Sequence, residues 1–181
     1  MKFLTFSRHF PSYHPRKGQP TFFVEKIWIS QWPNDSGRKL LHPDLSIEHS
    51  NYISMDFSSK WHTIRPGHRW KAGDWFKPVV WGNDINPKSG RSGPYHSKHV
   101  QFQDPIQVKK TWDFKVIIDE GIKGDIELDG NCISTHDDLN IELLTRIAQN
   151  DGLFLDDFLA WFKYPKPFDG QIICWNDKIE Y

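Results

Sequence analysis

Lys60-Trp61-His62-Thr63-Ile64-Arg65-Pro66-Gly67 is the most informative run in this chain. β-Branched Thr63 and Ile64 favour an extended backbone, and Pro66-Gly67 ends it in a turn. Side chains alternate between faces along an extended run. Thr63 and Arg65 therefore share one face, and His62 and Ile64 the other. Lys60 enters three positions before Thr63, and its long stem reaches the same space. A Thr hydroxyl is a weak nucleophile until a base accepts its proton. A lysine serves as that base when burial or a neighbouring cation lowers its pKa. Arg65 is placed to be such a cation, or to hold a carbonyl or anionic oxygen. The same residues also suit an ordinary strand with a solvated lysine beside it.

The surroundings of this run set the fold class. Upstream, residues 3–6 predict a short strand. Thr21 stands where a cap would open a helix through Phe22, Phe23, Val24, Lys26, Ile27 and Trp28, with Phe23, Ile27 and Trp28 on one apolar face. Residues 32–59 are rich in Pro, Asn, Asp and Ser and read as an insertion over the surface. Downstream, Ala72-Gly73-Asp74 is a second tight turn. A strand over 75–81 follows, with Pro78 favouring an edge or a bulge. Residues 82–105 read as a long loop of the kind that often closes over ligands.

The best strand covers 107–118, with further strands over 126–128 and at Ile133. Ser134-Thr135-His136-Asp137 offers capping chemistry for a helix over 139–150, whose apolar face carries Leu139, Leu143, Leu144 and Ile147. Asp151-Gly152 is a stop signal. A helix over 155–162, with Phe158, Leu159 and Phe162 apolar, and a final strand over 171–175 complete the chain. The lack of βαβ alternation argues against a doubly wound parallel sheet. The expected fold is α+β: one domain over 1–181, a small mostly antiparallel barrel with flanking helices and insertions at 32–59 and 82–105.

Composition narrows the function. The 181 residues carry 23 basic and 23 acidic side chains, which argues against coating nucleic acid by bulk charge. Nine Trp and thirteen Phe suit a β-rich core, with some rings left to stack on a flat ligand. Cys132 and Cys174 form no CxxC pair, so no zinc framework is visible, and two isolated thiols suggest the reducing cytoplasm. No segment approaches the ~20 apolar residues of a membrane span.

Outside the central run, Arg65, His68, Arg69 and Lys71 interleave with Trp70. They either track a phosphate and stack a base or form a solvated turn with Trp70 in the core. Trp81, Tyr95 and Lys98 bracket the long loop, as closing residues or as anchors on the barrel. His96 and His99 lie three apart in a loop-like stretch without a third ligand, so no metal or other cofactor is expected.

Lys60-x-x-Thr63-Ile64-Arg65, followed by Lys71-x-Gly73-Asp74, resembles the signature of the ASCH family, a branch of the PUA-like superfamily. The resemblance covers about half of the chain and implies a PUA-like β-barrel. One ASCH branch is an amidohydrolase that deacylates acetylcytidine with a Lys and a Thr of K-x-x-T-I-R and a Glu on the later helical segment. The resemblance places the first two on Lys60 and Thr63. The third falls on Asp151, a departure shorter by one carbon–carbon bond, about 1.5 Å, with Glu142 as the alternative. Arg65, Arg69, Trp70, Trp81, Tyr95 and Lys98 are then the substrate-binding candidates. The implied function is an amide hydrolase on an acylated cytidine or a related small molecule. The alternatives are an RNA- or nucleotide-binding module without chemistry and a ribonuclease.

Overall fold

The computed structural model describes residues 1–31, 59–119, 122–133, 138–162 and 167–181. The architecture is α+β, with two mostly antiparallel sheets and three helices among these residues. The insertion expected at 32–59 and the capping run at 134–137 lie almost wholly outside them.

The first sheet is built on β3 (Trp75–Trp81), with β1 (Lys2–Thr5) parallel on one side and β4 (His99–Gln101) and β5 (Ile106–Gln107) antiparallel on the other. The second has the order β2 (His62–Pro66), β9 (Phe168–Cys174), β6 (Lys110–Asp119), β7 (Ile122–Leu128), β8 (Asn131–Ile133), antiparallel throughout. The chain passes from one sheet to the other between β5 and β6. There Val108 N–H donates to the Asp74 carbonyl and Lys109 N–H to that of Cys174.

Alternation along the strands explains the core. Phe76 and Val80 of β3, Phe6, Phe102 and Trp175 bury their side chains together. Phe114 of β6 packs edge-on against Phe158 of α3 (Leu155–Trp161). Ile126 of β7 and Ile133 of β8 are buried in the same core as Leu144 and Ile147 of α2 (Asp138–Asn150). α1 (Phe23–Gln31) turns Phe23, Val24 and Ile27 inward. No described helix is long and apolar enough to cross a membrane.

Several local expectations are corrected. Pro78 sits on the central strand of its sheet. It is tolerated because it stands opposite the break between β4 and β5, where the ladder needs no N–H from it. Residues 82–105 are not merely a loop, since they contain β4 and bury Ser97, Phe102 and Gln103. The long strand is two: β5 ends at Gln107 and β6 starts at Lys110, because the sheet-to-sheet crossing intervenes. Leu139 is 76% exposed and lies in the first turn of α2, ahead of the buried stripe Leu144, Ile147 and Ala148. The Thr21 hydroxyl reaches Phe23 N only at 3.4 Å and donates to the Ser7 carbonyl at 2.6 Å, so it ties α1 to the N-terminal segment.

Candidate active site

Helix α2 ends in a Schellman turn. Gly152, at φ +76°, lets its N–H reach the Gln149 carbonyl and that of Leu153 reach Ala148, both at 2.9 Å. This turn fixes Asp151 as the C-cap residue. Two ammonium groups complete the helix end: Lys60 Nζ donates to the Asp151 carbonyl at 2.6 Å, and Lys26 Nζ to that of Gly152 at 2.5 Å. Cations are favoured there because the last carbonyls carry the negative end of the helix dipole.

Lys60 is fully buried and also donates to Asp151 Oδ1 at 2.5 Å, with its Nζ 4.1 Å from the centre of the Phe23 ring. Its backbone is held on both sides, Lys60 N–H to the Lys26 carbonyl and Trp61 N–H to that of Asn150. Burial pushes the Lys60 amine down to about 8, against the pull of Asp151. Burial likewise raises the Asp151 carboxyl, against the pull of Lys60.

Beside this pair opens a cavity of about 410 Å³. Thr63, Ile64, Arg65 and Pro66 of β2 form one wall, Asp151 and Phe23 the inner end, and Trp161, Phe162 and Phe168 an aromatic side. Thr63 and Asp151 both line it, whereas Lys60 lies behind Asp151 and Phe23. Asp151 Oδ2 and the Thr63 hydroxyl have no hydrogen-bond partner among the described residues, and both residues line the cavity. Arg65 donates to the Thr5 carbonyl and lies 5.4 Å from the Phe6 ring, its Nε unpartnered.

Although Asp151 is one carbon–carbon bond shorter than a Glu, its carboxylate meets Lys60. The Schellman turn and the burial of Lys60 bring the two groups into contact, and Glu142 stands exposed about two and a half turns earlier on α2.

The remaining sequence candidates lie elsewhere. Arg69 is exposed, and its guanidinium carbon lies 5.8 Å from the Trp70 ring. Trp70 is 4% exposed and packs edge-on against Phe76, its backbone N–H bonded to Gln171, so it is a core residue, unavailable to stack a base. Trp81 is half-buried between Tyr95 and His99, and Tyr95 is 87% exposed. Lys98 is exposed, its backbone N–H bonded to the Asp84 carboxylate. None of these five lines the cavity. The sequence reading missed Phe23, Trp161, Phe162 and Phe168 as cavity walls, because their apolar spacing matches core positions equally well.

No protein-family model, no curated protein and no solved structure matches the chain.

Proposed function

We propose that this chain is an ASCH-type, PUA-like domain whose cavity hydrolyses the amide bond of a small planar ligand, an acylated cytidine in the first instance. The observation that carries the reading is the meeting of Thr63 and Asp151 on one cavity, with Lys60 bonded to the acid from behind. A cavity of about 410 Å³ is of small-molecule size. Its aromatic side suits a flat base. The way the chain runs from one sheet into the other supports the half-open barrel of the PUA-like class.

In this reading Asp151 Oδ2 takes the proton of the Thr63 hydroxyl or of a water as the oxygen attacks the amide carbon. Arg65 faces the oxygen that gains negative charge. The carbon–nitrogen bond then breaks and the amine leaves with the proton from Asp151. Attack by water gives the carboxylic acid directly. Attack by Thr63 leaves an acyl ester, which a water deprotonated by Asp151 then cleaves to release the acid and restore the Thr63 hydroxyl. Lys60 acts through Asp151, holding and charging it, and is a positioning residue. Two free thiols, Cys132 exposed and Cys174 buried, fit a reducing compartment such as the cytoplasm.

The test is incubation of the purified chain with acetylcytidine and chromatography of the products. Cytidine release, lost in Asp151→Asn and Thr63→Val, is the expected result. An absence of release by the wild type overturns the hydrolase. The aromatic side also favours a second reading, a nucleotide-binding module without turnover. Calorimetric binding of acetylcytidine without its conversion would identify that module, and shortening of a single-stranded RNA a ribonuclease.

A further inference from the structure

His62 is fully buried, and neither ring nitrogen has a hydrogen-bond partner of good geometry among the described residues, the Ile147 backbone being the main-chain polar group within its reach. An unsatisfied buried polar group costs about 1–3 kcal/mol, and a phenylalanine would fill the same space without that cost. The ring is confined, edge-on to Tyr181 at 5.6 Å between centroids, with a weak polar contact to the Ile147 backbone. Its Nδ1 lies 3.7 Å from Asp151 Oδ1, the oxygen that already accepts from Lys60 at 2.5 Å. Two donors thus converge on one oxygen, and only one of them is engaged. Bringing Nδ1 to hydrogen-bond distance takes a shift of about 0.8 Å.

We propose that His62 is the alternate donor to Asp151 Oδ1, taking the oxygen over when Lys60 gives up a proton, so that Oδ2 stays aimed into the cavity. This rests on the hydrolase reading for its consequence, though not for the contact itself. The amine, poised near 8, spends part of its time neutral at mildly alkaline pH, and a neutral amine is a weaker partner for a carboxylate. The imidazole is kept neutral by burial and by the charge of Lys60. In the tautomer with hydrogen on Nδ1 it offers its one donor to Asp151. His62 touches no ligand, so it is a positioning residue.

The experiment pairs kinetics with spectroscopy on the whole chain. His62→Phe keeps a ring and removes both nitrogens. Its kcat on acetylcytidine is expected to fall about tenfold at alkaline pH with KM unchanged. Its activity should decline as pH passes Lys60 deprotonation, where the wild type holds its plateau. His62→Asn, which restores an N–H near the position of Nδ1, should recover the plateau. A purely structural role would lower activity equally at every pH, and parallel profiles for wild type and His62→Phe overturn the proposal. In the wild type, the His62 ring nitrogens observed by ¹⁵N NMR should shift in the same pH step as Lys60. Invariant resonances through that step overturn it independently of any substrate. A coupled step without turnover of acetylcytidine would remove the hydrolase and leave the His62–Asp151 contact standing.

Discussion

Asp151 Oδ1 has two buried neighbours, Lys60 bonded to it and His62 3.7 Å away, and its stability depends on the charged one. Replacing Lys60 by Met leaves the carboxylate desolvated and unpaired, which costs about 3–5 kcal/mol. Urea denaturation of Lys60→Met should show that loss, and the double variant Lys60→Met/Asp151→Leu should recover most of it. Equal loss in single and double variants would mean that packing of the lysine stem, not the charge pair, is what matters. This pair was half legible in the sequence. The spacing from Lys60 to Thr63 follows from strand alternation, whereas the contact with Asp151 joins positions 91 apart and came only from the resemblance. Strand alternation sets His62 apart from Thr63, but nothing in an alternating strand distinguishes a buried histidine whose nitrogens lack good partners from an ordinary core residue.

At the scale of elements, the turn after α2 and the turn after β2 both bound the cavity. A Cβ on Gly152 would meet Lys26 Cδ at 3.1 Å and Lys60 Cβ at 3.2 Å, at a φ of +76° that L side chains rarely adopt. Gly152→Ala should therefore cost about 1–2 kcal/mol in chemical denaturation and lower cytidine release, since it displaces the stem of Lys60. The Pro66-Gly67 turn is followed by His68, which bridges two strands, Nδ1 to Asp113 of β6 and Nε2 to Asp169 of β9, each at 2.9 Å. Hydrogen bonds to both carboxylates raise its pKa above the ordinary 6.5. A histidine raised on folding contributes stability that is fully present below its unfolded pKa and is lost as pH rises through the folded one. The melting-temperature advantage of wild type over His68→Ala should be largest below about 6.5 and shrink above it. An advantage that grows with pH would contradict the bridge. These elements were legible where periodicity or turn chemistry is local, as in α2 and Asp151-Gly152. They were illegible where the partner strand decides, as at Pro78.

For the whole molecule, the cavity exists because β2 and β9 of the second sheet meet the helices and the segment that follows β1, and no single element contains it. Ser7 lies in the segment two residues past β1, Thr63 to Pro66 and Phe168 come from the second sheet, and the aromatic side is closed by the end of α3. Local patterns predicted the strands, and with them the class, but not this meeting, which depends on long-range contacts such as that of Arg65. From β2 its guanidinium bonds the Thr5 carbonyl on β1 and packs near Phe6, so one side chain ties the two sheets beside Thr63. Arg65→Lys keeps the charge and discards the planar fork that makes this contact. Loss of a hydrogen bond from a charged donor costs about 1.5–3 kcal/mol. Thermal denaturation should register that loss. Amide exchange at Phe6, whose N–H closes the ladder onto the Val79 carbonyl at 2.8 Å, should quicken. Exchange there equal to wild type would show that the sheets are held together by their shared core of Phe6, Phe76 and Trp175, with Arg65 retained for the cavity alone.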